Sequence, residues 1–158
     1  MTTTTSTTDA FVRPAVTDDL AAIEQLLKDA DLPAAGVSEI LTTTPEHFFV
    51  AEKALDGELV GVAGLELCGQ HALLRSVAVR PEWRSHGVGK ELVRRAVCHA
   101  EGKQWRALYL LTMTAEHYFP RFGFEKIERN AVPQEIAETL EFKSACPASA
   151  TTMMKPIS

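Results

Sequence analysis

Apolar and polar positions along the first half of the chain follow the pattern of β-strands. Residues 11–15 form a short apolar segment, and two longer apolar runs within residues 47–67 are separated by Asp56-Gly57, a strong signal for a hairpin turn. A second turn at Gly69-Gln70 leads into another apolar run, residues 71–79. The pattern predicts an N-terminal strand and, after an intervening segment, a three-stranded antiparallel meander.

Helical spacing of apolar residues occurs at two places. The first stripe follows Thr17 and Asp18, either of which can cap a helix N-terminus, and the segment 36–46 beyond it fits a short helix or a loop. The second stripe predicts a long helix over residues 87–100, which Gly102 is expected to end. The two stripes consist of Leu20, Ile23, Leu26 and Leu27, and of Leu92, Val93, Ala96, Val97 and Ala100.

The last third of the chain predicts a return to strands. Residues 106–112 have the pattern of a buried strand, and because this strand follows a helix we expect it to run parallel to the strand before that helix. Thr114 can cap a short helix that ends at Gly123. Further strands are expected in residues 124–129 and 149–155. The elements together predict an α/β (α+β) fold with a mixed sheet.

Composition is ordinary for a globular protein and predicts one domain. Hydrophobic residues make up 46% of the 158 positions, and the sequence has no repeats or internal linkers, so we expect a single domain over residues 10–158. The Thr-rich residues 1–9 are expected to be a disordered tail, since they lack the basic flank and apolar run of a signal peptide. A stretch long enough to cross a membrane is missing, and we expect a cytoplasmic protein without membrane partners.

Charge and cysteine content narrow the classes of partner. The formal net charge of −5 argues against broad nucleic-acid binding, although a few local cations can still bind a small anion. The three cysteines, Cys68, Cys98 and Cys146, lack the spacing of zinc or redox sites. We therefore expect reduced thiols and no metal site.

The loop before the predicted long helix is typical of an anion-binding site. Gly87 and Gly89 leave backbone N–H groups uncovered, and a helix N-terminus adds unpaired donors and the positive end of the helix dipole. Phosphate is the anion most often bound by this arrangement. The G-x-x-x-x-G-K-S/T string of a P-loop is missing, and a meander precedes the loop where a dinucleotide-binding fold would have repeated βαβ units.

Two stretches, VAVRPEWRSHGVGKELV and YLLTMTAEHYFPRFGFEKI, resemble the GCN5-related N-acetyltransferase (GNAT) superfamily, whose cofactor loop R/Q-x-x-G-x-G/A is matched from Arg84 to Gly89. The resemblance implies an acetyl-CoA-dependent enzyme with a mixed, mostly antiparallel sheet, splayed between strands 4 and 5 and flanked by helices. The loop amides would bind the CoA pyrophosphate, and the pantetheine arm would pair with the edge of residues 77–79. The implied cofactor-binding residues are Val77, Ala78, Val79, Arg84, Ser85, His86, Gly87, Val88, Gly89, Lys90 and Arg121. Solvated surface charge is the alternative role for Arg84, Lys90 and Arg121.

The C-terminal stretch AVPQEIAETLEFKSACPASATTMMK resembles small amino-acid N-acetyltransferases and, among these, the arsinothricin N-acetyltransferases linked to arsenic resistance. These enzymes resemble phosphinothricin acetyltransferases in task. The resemblance implies acetylation of the α-amino group of a small acidic amino acid, or of an analogue whose side chain ends in an arsenic or phosphorus acid. Two other functions stay open: acetylation of protein N-termini, lysines or polyamines, and CoA binding without catalysis. The resemblance to the family also implies a homodimer.

Substrate-binding candidates lie within one predicted strand and at the end of another. Arg75 interrupts an apolar run, where a bidentate guanidinium suits a carboxylate or oxyacid group; a structural ion pair is the alternative. Strand alternation places Ser76 on the opposite face of the sheet from Arg75, so only one of these two side chains is expected to reach the pocket. Thr112 is expected to add polar lining at the end of the other strand.

The acid and base of the reaction have several candidates. A base must take the proton of the substrate ammonium, and His117 is the favoured histidine because the start of the short helix borders the acetyl end in the family. Tyr118 is the candidate acid for the departing thiolate. Relatives carry that tyrosine where this chain has Phe119, and because a shift of one residue turns a helical side chain by about 100°, Tyr118 faces either the site or the core. The candidate bases are Glu66, His71, Glu116 and His117.

Overall fold

A mixed β-sheet runs through the residues that the structure, a computed structural model, describes: 9–145 and 149–157. Its strands are β1 (Ala10–Pro14), β2 (Phe48–Lys53), β3 (Leu59–Cys68), β4 (His71–Val79), β5 (Ala107–Thr112), β6 (Glu125–Ile127) and β7 (Thr151–Pro156). The helices are α1 (Leu20–Asp29), α2 (Val37–Thr43), α3 (Val88–Lys103) and α4 (Gln134–Ala137). The strand order is β1-β2-β3-β4-β5-β7-β6, and neighbouring strands are antiparallel apart from β4 and β5.

The predicted meander is confirmed in β2, β3 and β4. The backbone N–H of Glu58 donates a hydrogen bond of 3.0 Å to Asp56 Oδ1, which stabilises the turn between β2 and β3. Cys68 and His71 are opposite each other at the start of the β3–β4 ladder, across the second predicted turn. Strand β1 pairs with the outer edge of β2, so the first four strands form a continuous antiparallel half of the sheet.

Strands β4 and β5 are hydrogen-bonded neighbours over three residue pairs, His71–Leu73 with Ala107–Tyr109. Beyond these pairs β4 continues alongside β3 as far as Val79, whereas β5 continues alongside β7 as far as Thr112. The two strands therefore separate after Leu73, which confirms the predicted splay between strands 4 and 5. Because the strands are parallel, the gap lies between their C-terminal halves.

Alternate strand residues pack on opposite faces of the sheet. Phe49 and Leu74 belong to the cluster under α3, whereas Phe48 belongs to the cluster under α1 and α2. Leu73 points away from α3 as well, and it packs with Ile136 of α4. The face opposite α3 thus carries two separate apolar clusters, one under α1 and α2 and one under α4.

The predicted C-terminal end of the long helix is wrong by less than one helical turn. Helix α3 passes through Gly102 and ends at Lys103, and the left-handed residue that follows it is Gln104, with φ of 57°. Gly102 lies within the last turn, where a methyl group would meet no described atom within 4 Å. Glycine is therefore not required there for packing or for the end of the helix.

The predicted cap of α1 is wrong as well. The side chain that fixes the start of this segment is that of Asp19, which accepts the backbone N–H of Val16 at 2.9 Å. Thr17 instead donates its hydroxyl to the carbonyl of Leu41, at 3.4 Å. The Asp19 carboxylate thus reaches back to the N–H of Val16, whereas a cap at Thr17 or Asp18 would accept N–H groups further along the chain.

Some predictions concern regions that the structure leaves out. Residues 1–8, which make up most of the predicted tail, and Cys146 lie outside the described residues. In the part that is described, no helix is long and apolar enough to cross a membrane. The single domain and the cytoplasmic location stay predictions.

Candidate active site

The gap between β4 and β5 opens into a cavity of about 940 Å³. One wall is residues 74–79 of β4, and the opposite wall is the end of β5 with the turn that follows it, residues 110–115. The loop before α3 closes one end of the cavity, and residues 30–33 after α1 border the other. The cavity therefore joins the predicted anion-binding loop to the splayed strands.

A β-bulge in β4 changes the direction of its side chains. Val62 pairs with Ala78 but Gly64 pairs with Arg75, so β4 contains one residue more than β3 at this point. Ser76 takes up the extra length with a left-handed φ of 60°. Arg75 Nε consequently donates to Ser76 Oγ at 3.0 Å. The prediction that the two side chains lie on opposite faces is wrong because strict alternation ends at the bulge.

Arg75 lines the cavity and is also the centre of a buried polar cluster. Arg75 is only 3% exposed, and its terminal nitrogens donate hydrogen bonds to Glu66 Oε1 at 2.8 Å and to the carbonyl of Ala35 at 2.6 Å. A carboxylate oxygen of Glu141 lies 4.0 Å from its Nε. The cluster joins the segment between α1 and α2 to β3 and to the segment after α4, so Arg75 forms the predicted structural ion pair and borders the pocket.

The candidate bases differ in their access to the cavity. Glu66 lies beside Arg75, and Glu141, which the sequence analysis does not single out, lines the cavity itself. His117 is placed differently from the expectation: its side chain is 95% exposed, and Ala115 and Tyr118 line the cavity on either side of it. His117 does not border the acetyl end because the segment around it is an irregular turn, and only residues Phe119–Phe122 form a short 3-10 helix.

The remaining base candidates also lie away from the splay. His71 is at the paired end of β4, where its ring packs edge-on against Tyr109 at 5.7 Å between centroids. Glu116 accepts a long hydrogen bond of 3.5 Å from the hydroxyl of Thr151.

Tyr118 faces the cavity, which resolves the ambiguity in its predicted direction. Its hydroxyl lies 3.5 Å from the position that a Cβ atom on Gly89 would occupy, so the phenol approaches the loop before α3. Arg121 lies over the ring at 4.5 Å and donates through Nε to the Tyr118 carbonyl at 2.9 Å. Burial raises the pKa of the Tyr118 phenol, against a smaller opposing effect of Arg121. Phe119 is the buried member of the pair.

The loop before α3 has the conformation expected for an anion-binding site. Gly87 has a left-handed φ of 76° immediately before the first helical residue, Val88. The N–H of Glu91 donates to the Gly87 carbonyl at 3.1 Å, and the N–H groups before it belong to the open first turn of the helix. Gly89 faces the cavity, where its lack of a side chain lets ligand atoms approach the backbone.

Some of the side chains predicted to bind the cofactor line the cavity, and others do not. Arg84, Lys90 and Arg121 line the cavity, and Arg84 Nε also donates to the Val79 carbonyl at 3.3 Å. His86 packs against Trp83 and lines a separate groove of about 370 Å³ beside β1, so its imidazole does not belong to the cavity.

The other predicted cofactor residues differ in whether they line the cavity. Val88 is buried in the core, and the side chain of Ser85 lies outside the described part of the chain. Val77, Ala78 and Val79 all line the cavity, on the part of β4 that has lost its β5 neighbour.

The end of β5 is fixed by Thr112. Its hydroxyl oxygen accepts the backbone N–H of Ala115 at 2.9 Å, so Thr112 and not Thr114 caps the turn, and Thr112 also lines the cavity as predicted. Among the described residues, no group of three or more His, Cys, Asp and Glu side chains could hold a metal ion.

Some cavity residues have no signal in the sequence. Asp31 and Glu141 come from segments that meet the splayed strands through tertiary folding. Pro33 and Gly36 do mark a chain break between α1 and α2, and that break is the one local sign that this segment leaves the helix to border a site.

Comparisons with known proteins agree with this geometry. The sequence model of the family described as "Acetyltransferase (GNAT) domain" matches residues 44–126. An "Amino-acid acetyltransferase" of Mycobacterium tuberculosis is 34% identical over 134 residues, which cover 82% of this chain and 76% of that protein. The residues matched by the family model, 44–126, include the loop before α3 and both splayed strands.

Solved structures extend the similarity to the whole fold. The crystal structure of Rv2747 from Mycobacterium tuberculosis, in complex with CoA and NLQ, matches with a TM-score of 0.78 and 28% identity, covering 94% of this chain and 99% of that one. An N-acetylglutamate synthase from Neisseria gonorrhoeae, complexed with coenzyme A and N-acetyl-glutamate, matches with a TM-score of 0.77. It is 19% identical, and this chain spans 35% of its length, so that likeness concerns the fold alone. The predicted fold class is confirmed.

Proposed function

Because the chain belongs to the acetyltransferase (GNAT) family, we propose that it transfers the acetyl group of acetyl-CoA to the α-amino group of a free amino acid. The predicted acetyltransferase class and the acetyl-CoA co-substrate are those of the family. The observation that carries the amino-acid proposal is a single cavity with an anion-binding loop at one end and a buried arginine at the other. The reacting carbonyl would lie between them, at the splay.

The CoA end of the proposal rests on charge and on free backbone edges. Open N–H groups around Gly87 and Gly89 suit a diphosphate, and Arg84, Lys90 and Arg121 add positive charge at the same end. The edge of β4 that has separated from β5 can pair with the amides of an extended pantetheine chain. These features fit acetyl-CoA in a single orientation, with the thioester toward the bulge.

The acceptor end of the proposal rests on Arg75. A guanidinium has five N–H donors, and three of them are engaged by Ser76, Glu66 and the Ala35 carbonyl. Among the described residues, one N–H on each terminal nitrogen is left without a partner, and these two would donate to the oxygens of an α-carboxylate, which is the planar geometry that arginine binds best. The amino group of the same substrate would point toward the splay.

The chemistry follows from these positions. The neutral amine attacks the thioester carbonyl, the C–N bond forms, and the amine proton passes to water or to a carboxylate of the cavity. Backbone N–H groups at the β4 bulge would stabilise the oxyanion, since the extra residue there is not fully paired in the ladder. The C–S bond then breaks, and the Tyr118 hydroxyl donates a proton to the thiolate.

A narrower substrate is also proposed: a glutamate-like amino acid, or its arsenic or phosphorus analogue. The C-terminal resemblance supports it, whereas Arg75 is already assigned to the α-carboxylate and the carboxylates of Glu66 and Glu141 beside it work against a second acidic group. Acetylation of peptide N-termini, lysines or polyamines is the second candidate, and the carboxylates of Asp31 and Glu141 on the cavity wall favour it. A homodimer stays a prediction, which a mass measurement in solution tests.

The experiment is a substrate panel with acetyl-CoA, read as release of free CoA thiol. The panel contains glutamate, glutamine, phosphinothricin, arsinothricin, a peptide with a free N-terminus and spermidine. Turnover of a free amino acid is expected, and Arg75→Lys should raise the KM for that amino acid by about tenfold or more while leaving the KM for acetyl-CoA nearly unchanged. Arg13→Lys is the matched control, since Arg13 forms comparable ion pairs with Asp19 and Glu52 outside the cavity. Turnover of the peptide or the polyamine alone would refute the proposal.

A further inference from the structure

Glu66 forms an ion pair with Arg75, the buried arginine at the acceptor end of the cavity. Its Oε1 atom accepts a hydrogen bond of 2.8 Å from Nη1 of the Arg75 guanidinium. Glu141 approaches the same guanidinium from the segment after α4, at 4.0 Å. One positive charge is therefore surrounded by two negative charges within the apolar frame of the second sheet face.

This arrangement affects substrates according to their charge. A zwitterionic amino acid brings one carboxylate and one ammonium, so it adds no net charge to the cluster. An acidic amino acid brings a second carboxylate, which meets Glu66 and Glu141 while Arg75 is already partly neutralised. Like charges that are partly shielded from water repel each other more strongly than charges in bulk solvent.

We propose that Glu66 is a specificity-determining residue that restrains the acceptance of amino acids carrying a second negative charge. The inference rests on the proposed function, amino-acid acetylation at this cavity, and it names what sets the charge preference there. Glu66 acts through Arg75, which it orients, and through its own field on the acceptor.

A role of Glu66 as the general base, which the sequence also suggested, has a different consequence. Loss of a base slows the chemical step for every acceptor, so kcat falls by the same factor for neutral and acidic substrates. Loss of a charge that discriminates between acceptors changes their ratio. The two roles are therefore separated by a ratio of specificity constants.

The experiment compares glutamate with glutamine, which are nearly equal in shape and differ by one charge, in the wild type and in Glu66→Gln. If the side-chain carboxylate of bound glutamate lies roughly 7 Å from that of Glu66, their repulsion changes relative binding by roughly threefold in bulk water and by roughly fiftyfold for a partly buried pair. We therefore expect removal of the Glu66 charge to raise the glutamate-to-glutamine ratio of kcat/KM by about tenfold. An acceptor that is not turned over is measured as a competitive inhibitor of the one that is.

The matched control is Glu52→Gln. Glu52 has the same side-chain exposure as Glu66, 25%, and a comparable contact of 2.7 Å with Arg13, but it lies on β2 outside the cavity. This variant should keep the wild-type ratio. If Glu66→Gln does not fold, Glu141→Gln removes the second charge and should shift the ratio in the same direction by a smaller factor.

The outcomes are distinct. An unchanged ratio in a folded Glu66→Gln variant that still turns over amino acids overturns this inference and leaves the proposed function intact, and an equal fall of kcat for both acceptors would assign Glu66 as the base. An unchanged ratio in the Glu141→Gln substitute also overturns it. Failure of the wild type to acetylate any amino acid overturns the proposed function and this inference with it.

Discussion

Replacement of Tyr118 by phenylalanine should slow acetyl transfer without unfolding the protein. The hydroxyl is the part of this side chain that approaches Gly89 across the cavity, whereas the ring packs with Phe119 and Phe122. Because burial raises the phenol pKa above its usual value of 10.0, the hydroxyl is protonated throughout the neutral range and can donate to a departing thiolate. Phenylalanine keeps the packing and removes the donor.

The size of the effect follows from the leaving group. General acids typically contribute 10²- to 10⁴-fold, but a thiolate leaves without assistance more readily than an alkoxide or an amide. We therefore expect kcat to fall by about 10- to 100-fold, which corresponds to about 1.4 to 2.7 kcal/mol of transition-state stabilisation. The KM for acetyl-CoA should change by no more than about twofold, because the remaining ring still borders the loop.

The assay is thiol release at saturating acetyl-CoA and amino acid, and Tyr109→Phe is the control. Tyr109 is also a buried tyrosine whose pKa is raised by burial, but it packs under α4 on the other face of the sheet. Its replacement should leave kcat unchanged. In the wild type, any loss of kcat that comes from ionisation of this phenol should begin only above pH 10, because burial raises its pKa above the usual 10.0. A wild-type kcat in Tyr118→Phe, or an equal loss in Tyr109→Phe, would refute the reasoning.

Two further predictions concern stability. Gly87→Ala should lower the free energy of unfolding by about 1 kcal/mol, because φ is 76° at that position. Gly102→Ala should raise the free energy of unfolding by about 0.5 to 1 kcal/mol, because the helix continues through that position. Urea denaturation measures both changes, and changes of equal sign would contradict the different backbone roles of the two glycines. Burial lowers the pKa of His47 and His99, whose ring centroids are 5.4 Å apart, so the unfolded state binds more protons below the usual value of 6.5. The free energy of unfolding should therefore be lower at pH 5.5 than at pH 7.5, and a His47→Gln, His99→Gln double variant should reduce that difference.

The parts of the fold that the sequence predicts well depend on local interactions. Asp56-Gly57 specifies its turn through the chain immediately around it, and Gly87 before α3 with Gly89 in its first turn specifies an open helix N-terminus in the same way. The end of α3 was predicted less well, because Gln104 adopts a left-handed conformation that glycine would more commonly take. In each case the signal and the structure it produces lie within a few residues of each other.

The acceptor end of the cavity could not be predicted because its properties depend on distant parts of the chain. An arginine in an apolar run indicates that a buried charge needs partners, but the sequence does not say which partners it finds. The carbonyl of Ala35 lies 40 residues from Arg75 along the chain, and Glu66 lies 9 residues away on a neighbouring strand.

The bulge at Ser76 brings the two predicted substrate residues together and, at the same point, leaves β4 without regular pairing. One extra residue in a strand thus interrupts the regular pairing of β4 where we propose that the thioester carbonyl binds, and it brings the Arg75 guanidinium onto the hydroxyl of Ser76. The charge of the acceptor end is consequently a property of the folded sheet, and substitutions at Glu66 should change which amino acids bind even where the loop proposed to bind CoA is untouched.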